Sequence, residues 1–355
     1  GIINCSPSIN LNFIRSKYNY MNIVSKLKKE WFLVGMVVAI ILAVLTPSVG
    51  RSGGWIHLDL LTGVGVALVF FLHGLGLSPK KIKEGISNWR LHIYIQLATF
   101  LFYPLIWVIF GETFLAYMPA ALAFGFCYLF ALPSTISSSV AMTSVGKGNV
   151  PAAIFNASLS SILGIFITPL LIQLFMGFEG VELDLMASVI SIAKLLLLPM
   201  ILGQLARPYL LTFADKHKSM VGKVDKYVIL LIVYNAFSDS VSNGIWSEFS
   251  IELLAISFAL CLFILLFMVH GIQWGARRCG FELADEVTAV FCGTKKTLAA
   301  GIPMAKVIFA GDPRLGMLLL PIMLYHPIQL FYCAMLANRY VKQKEDNEKL
   351  AVSEK

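Results

Sequence analysis

Charge is what this 355-residue chain has least of: 14% of its residues are Asp, Glu, Lys or Arg, against 58% hydrophobic. Soluble domains carry about 25% charged residues, so a water-soluble globule is excluded and a polytopic membrane protein is implied. Carboxylates are scarcest where they would matter most. None lies deep in an apolar run; Asp59, Glu112 and Glu252 fall at run ends, and Asp239 comes nearest, with Tyr234, Asn235 and Ser238 on the approach to it. The six cysteines (Cys5, Cys127, Cys261, Cys279, Cys292, Cys333) are scattered, with no metal spacing or disulfide framework. There is no nucleophile–base constellation, metal motif or phosphate loop, so neither an enzyme nor a resident cofactor is expected. The net charge of +8 does not imply nucleic acid, because the basic residues gather in alternate loops rather than along one face. Oligomeric state carries no signal.

What the chain has is apolar length. Stretches of about 17–25 residues cross a bilayer, and ten are expected: Trp31–Pro47, Leu58–Leu77, Leu91–Phe110, Met118–Val145, Pro151–Phe175, Met186–Leu205, Tyr227–Val241, Ile251–Trp274, Val287–Phe309 and Leu315–Ala337. With these spans, 22 of the 28 basic residues lie on one side, and the opposite loops hold only Arg51 and Arg314. The positive-inside rule then places both termini in the cytoplasm and residues near Glu179 and Ser247 outside. Five spans per half is an odd number, so the halves insert in opposite orientations as an inverted repeat, about residues 26–178 and 182–340. The expected organisation is a disordered extension over 1–25, one transmembrane domain over 26–340 and a charged cytoplasmic tail over 341–355. Residues 1–20 lack the order of a signal peptide, and Met21 offers an alternative start.

The fourth span of each half is interrupted by polar residues: Pro133-Ser134-Thr135-Ile136-Ser137-Ser138-Ser139 and Cys292-Gly293-Thr294-Lys295-Lys296-Thr297. Backbone that leaves the helix at membrane depth survives only against protein or a water-filled cavity. Paired breaks in matching positions point to a transporter's substrate site. Single hydroxyls in spans usually serve packing, but this many beside a proline favour a cavity. Asn156 and Ser160, four apart on the next span, share a face that looks toward the first break. Lys295 and Lys296 sit too deep to snorkel, and intramembrane ionisable groups mark pathways. Lys306 reads as an interfacial anchor, His73 and His92 as packed or hydrated, and His326 as a core histidine or proton carrier. The candidate substrate-binding residues are Ser137, Lys295, Thr297, Asn235 and His326.

Five stretches together resemble the bile acid:sodium symporter family, closest to its outlying branch of sodium-dependent transporters. They are Lys29 to Gly35, Gly74-Leu75-Gly76-Leu77, Asn156 to Pro169, Phe291 to Pro303, and Tyr325-His326-Pro327 with Gln329. The resemblance covers Lys26–Arg339 and implies ten helices in two inverted five-helix repeats, with helices 4 and 9 discontinuous and crossing. It also implies a coupling sodium ion, for which Ser138, Ser139, Asn156, Ser160, Thr294 and Lys296 are the candidate ligand positions. In bile-acid-carrying relatives a Ser-Asn pair follows the first break, where this chain has Ser138 and Ser139. A Glu and a Gln mark the second break, where this chain has Cys292 and Lys296. A carboxylate is lost and a cation supplied, which brings the family's two-sodium stoichiometry into question.

The expected function is secondary active transport of a small organic anion, by sodium-coupled symport with alternating access, in the plasma membrane or a bacterial inner membrane. Spans 4, 5, 9 and 10 would move against spans 1, 2, 6 and 7. One alternative is a sodium-independent or proton-exchanging carrier with a lysine substituted at the cation site. Another is a non-transporting regulator of calcium homeostasis, a process with which eukaryotic members of the branch are associated.

Overall fold

The apolar runs fold as helices, because in hydrocarbon a helix satisfies its own backbone polar groups. The computed structural model describes residues 31–177, 184–244, 250–312 and 314–353, and no strand occurs among them. In the first half, α1 (Trp31–Leu45) is followed by α2 (Leu58–Gly76) and the short α3 (Pro79–Gly85). Next come α4 (Trp89–Tyr117), α5 (Ala120–Ala131), α6 (Ser137–Val145) and α7 (Val150–Gly177). The second half holds α8 (Leu185–Lys216), α9 (Lys218–Ser242), α10 (Ile251–Arg278), α11 (Leu283–Gly293), α12 (Leu298–Ile308) and α13 (Leu315–Ser353). Six of these (α2, α4, α7, α8, α10 and α13) are long and apolar enough to cross a bilayer; apolar stretches in α1 and α5 are shorter.

Both expected interruptions are real breaks. Leu132–Ile136 separates α5 from α6, and Thr294–Thr297 separates α11 from α12. Leu132, just before Pro133, is extended (φ −69°, ψ 147°), the conformation a following proline imposes by steric clash. At the second break Thr297 is extended, and its hydroxyl accepts from Ala300 N to cap α12.

Helix ends differ from the hydropathy limits. α9 begins at Lys218 rather than Tyr227, α8 runs to Lys216 rather than Leu205, and α13 continues through the charged tail. Apolarity marks what faces hydrocarbon, whereas helical hydrogen bonding continues into charged residues beyond it. α4 and α8 also carry π-helical segments, at Ala98–Phe102 and Ala193–Leu197. Glu179, Ser247 and the 1–25 extension lie outside the described residues.

The helices pack as two groups. In one, α2 lies along α8, α9 along α1, and α9 also touches α2. In the other, α5 packs on α4 and α13, α7 on both α5 and α6, and α11 on α6 and α10. Small residues allow the closest approaches, since without a hydrophobic drive between helices in lipid, close packing carries the association. A Cβ at Gly74 would meet the Met200 carbonyl, and one at Gly203 the Phe71 carbonyl. Backbone cannot swing aside, so Gly74→Ala is expected to force α2 from α8 and cost about 1–3 kcal/mol. Gly76→Ala, which opens onto free space, is expected to be near neutral; thermal unfolding in detergent compares the two.

Candidate functional site

A broken helix leaves carbonyls and amides without intrahelical partners, and the two breaks satisfy one another's. Thr297 N donates to Pro133 O (3.1 Å), and Ser134 Oγ donates to Cys292 O (2.6 Å). Gln329 on α13 clasps the second break from both sides: Lys296 N donates to its Oε1 and its Nε2 donates to Lys296 O, each at 2.8 Å. Tyr103 and Tyr325 hydroxyls both donate to Thr294 O, at 2.7 and 3.0 Å. Thr168 Oγ1 on α7 donates to Ala131 O. A Cβ at Gly164 would strike the Pro133 ring, so glycine there lets α7 close on the first break.

The two lysines are both fully buried, but they do different things. Lys296 Nζ donates to three carbonyls: Leu132 O at 2.7 Å, with Phe130 O and Thr99 O each at 2.9 Å. It also lies 4.1 Å from the centre of the Tyr103 ring. All three donors are used, and three carbonyls with an aromatic face surround one positive charge. Lys295 Nζ donates to Ser138 O at 2.7 Å and lies 5.8 Å from the Phe291 ring centre. Its other two donors have no protein acceptor among the described residues. The ion pairs among those residues are Arg277–Glu286 and Arg314–Asp312, so neither lysine is neutralised by a carboxylate.

Hydroxyls gather beside Lys295. Thr135 Oγ1 lies 2.6 Å from Ser138 Oγ and 2.8 Å from Ser139 Oγ, and Ser134 Oγ lies 3.3 Å from Ser139 Oγ. Ser160 Oγ accepts from Ser134 N at 2.9 Å. Ser137 Oγ, opening α6, lies 2.9 Å from His73 Nε2. His326 Nδ1 accepts from Gln329 Nε2 at 3.0 Å, which ties it to the second break. Thr294 Oγ1 turns back to Val290 O. Ser138, Ser139, Ser160, Thr294, Lys295, Lys296, Thr297 and His326 are thus brought together at the two breaks, whereas the exposed Ser137 side chain turns to His73 on α2.

Two candidates lie elsewhere. The Asn156 amide donates to His92 Nδ1 and Ala152 O and accepts from Gln96, so it faces α4 rather than the first break. Asn235 donates to Gly50 O and accepts from Lys306 Nζ; Lys306 therefore joins α12 to α9 and is no free interfacial anchor. Asp239 accepts from Ser52 N and Oγ beside this pair. Gln329, Ser134, Thr135, Tyr103 and the carbonyls around Lys296 are not among the residues the sequence pattern singles out as candidates. An uncharged amide in mid-span could have flagged Gln329; a carbonyl has no residue signature at all.

The chain as a whole is similar to known proteins. Residues 30–342 match the profile of the SBF-like CPA transporter family. The Escherichia coli protein YfeH, provisionally named a symporter, is 41% identical over 315 residues, covering 88% of this chain and 93% of its own length. Sodium/bile acid cotransporter 7 of Rattus norvegicus is 34% identical over 324 residues, covering 89% and 94%. That of Danio rerio is 33% identical over 319 residues, covering 89% and 95%. With its several bilayer-length apolar helices, the chain is an integral membrane protein and belongs to the SBF-like CPA transporter family.

Proposed function

We propose that the protein is a secondary transporter of a small organic anion that works by alternating access and carries its own fixed cation in Lys296. The observation that carries this reading is the unequal use of the two lysines. Lys296 fills a carbonyl cage of the kind that would hold a bound cation, while Lys295, one residue earlier, keeps two donors for an incoming carboxylate or sulfate. α6 and α12 restart after the breaks, and their positive N-terminal ends favour an anion there. The matched packing of α2 on α8 and α9 on α1 supports ten spans in two inverted halves, with the two helix groups as the moving parts. Both termini would then be cytoplasmic, in a plasma membrane or bacterial inner membrane.

A second reading keeps sodium. It is favoured by the names of the vertebrate cotransporters and by the converging oxygens of Ser134, Thr135, Ser138 and Ser139. These oxygens are neutral and already bonded to one another, so a sodium ion there would have no carboxylate and would lie near Lys295.

The test is uptake of radiolabelled carboxylates and sulfates, taurocholate among them, by proteoliposomes in sodium or choline buffer. We expect at least one anion to accumulate above protein-free liposomes equally in both buffers. Accumulation in sodium alone would select the second reading, and failure of every anion would sink the first.

A further inference from the structure

Alternating access needs something that holds one side of the seam shut while the other opens, and two side-chain hydrogen bonds cross between the helix groups. His73 on α2 lies 2.9 Å from Ser137 Oγ, at the start of α6. Lys306 on α12 donates to Asn235 Oδ1 on α9. Each joins the second span of one half to the helix that restarts after that half's break. Equivalent elements of an inverted repeat face opposite sides of the membrane, so one contact falls toward each side.

The Lys306 contact is the better built. Asn235 is fully buried, and its partners fix how the amide points. Its Nδ2 donates to Gly50 O at 2.8 Å and to Ser52 Oγ at 3.3 Å, which turns Oδ1 toward α12. The Ser52 hydroxyl in turn donates to Asp239 Oδ2 at 2.7 Å, and Ser52 N donates to Oδ1 of the same carboxylate. Asn235 and Asp239 are four apart on α9 and share a face. A relay therefore runs from Lys306 through Asn235 and Ser52 to Asp239, with every hydrogen bond pointing from ammonium toward carboxylate. Bonds aligned in this way polarise one another. The charge of Lys306 is answered through an amide and a hydroxyl rather than by a direct ion pair.

All of the relay except Lys306 belongs to one helix group. The segment after α1 is stapled to α9: Tyr234 Oη lies 2.8 Å from Thr46 Oγ1, and a Cβ at Gly50 would strike Ser238 Oγ. Asn235, Ser52 and Asp239 thus move together, and the Lys306–Asn235 bond is the link that parts when the groups separate. α12 itself packs on α2, α8 and α9. It runs uninterrupted from the second break, where Thr297 caps it, to Lys306 near its far end. A displacement of that break reaches the bond through a single helix.

We propose that Lys306 and the Asn235–Ser52–Asp239 relay form an outer latch, which closes the seam between the helix groups on the external side and parts when the central site opens outward. The proposal rests on the alternating-access reading and deepens it by naming what closes that side. Its test needs no transported anion, so its failure and that of the uptake experiment are told apart.

The test reads access to the breaks through Ser138→Cys, placed beside Lys295. Spheroplasts expose the external side and inside-out vesicles the internal side to 2-sulfonatoethyl methanethiosulfonate, which does not cross the membrane. Labelling of the chain without the added cysteine is subtracted. We expect external labelling to be slow with the latch intact and roughly tenfold faster with Lys306→Met, as for about 1.4 kcal/mol of closed-state stability. Asn235→Leu breaks the same bond from α9 and should match it. Asp239→Asn removes the terminal charge and should give a smaller rise on the same side. Internal labelling should not increase in any of them. Fast external labelling with the latch intact, an unchanged rate in Lys306→Met, Asn235→Leu or Asp239→Asn, or a rise from the internal side overturns the proposal. Monodispersity on gel filtration is required of each variant. Lys306→Gln replaces a Lys306→Met that aggregates, and Ser161→Cys, in a small cavity between α2, α7 and α8, replaces a Ser138→Cys that does.

Discussion

Lys296→Ala is expected to lower the unfolding free energy by about 3–5 kcal/mol, the range for removing one partner of a buried charged interaction. The ammonium donates to Thr99 O, Phe130 O and Leu132 O, and no water-filled route is needed to explain its burial. Without it, three carbonyls at the end of α5 and in the π-helical part of α4 lose their partner where lipid offers none, each at about 1–3 kcal/mol before relaxation. The measurement is thermal unfolding in detergent, with a fall on the order of 5 °C or more. The same vacancy makes a second, sharper outcome. Three carbonyls around an empty, charge-sized space suit a small cation, so sodium chloride should stabilise Lys296→Ala relative to choline chloride while leaving the native protein unmoved. Lys296→Met, which fills the space with an apolar chain, should show the loss without the sodium response. Native-like stability of Lys296→Ala in both salts would show that the cage does not depend on its lysine.

The sequence showed where the helices stop but not what completes them. Pro133 and the serines after it, with Lys295 and Lys296 in the facing stretch, announce two breaks because each is costly in a continuous apolar helix. That the breaks touch is legible only in outline, from their matching places in the two halves. What joins them is largely backbone: Pro133 O, Cys292 O, Leu132 O and Phe130 O accept the decisive bonds, and a carbonyl looks the same in every residue. The misplaced asparagines have the same origin. Asn156 does share a helical face with Ser160, but one turn along α7 is enough to carry it from the break to His92 and Gln96 on α4. Asn235 lies away from the breaks, beside Ser52 and Lys306, the latter 71 residues away in the chain. The long-range register of a helix bundle is set by packing, and local periodicity does not encode it.

Lys295→Ala is expected to do the reverse of Lys296→Ala: transport collapses while stability holds or rises. Lys295 has one hydrogen bond, to Ser138 O, and no carboxylate partner among the described residues. An ammonium buried with so little compensation costs free energy, so its removal relieves desolvation about as much as it loses bonding. A group kept at such a cost belongs to function rather than to folding. Two charge-assisted hydrogen bonds to a substrate carboxylate, at about 1.5–3 kcal/mol each, correspond to a loss in uptake of roughly 100-fold or more, since each 1.4 kcal/mol is a factor of ten. The probe is the anion taken up best in the proteoliposome panel. Lys295→Arg should recover part of the rate, because the charge returns but the planar guanidinium presents its donors in a different geometry. Unaltered uptake by Lys295→Ala would remove this lysine from the substrate path. A large fall in its melting temperature would assign it instead to the scaffold, alongside Lys296.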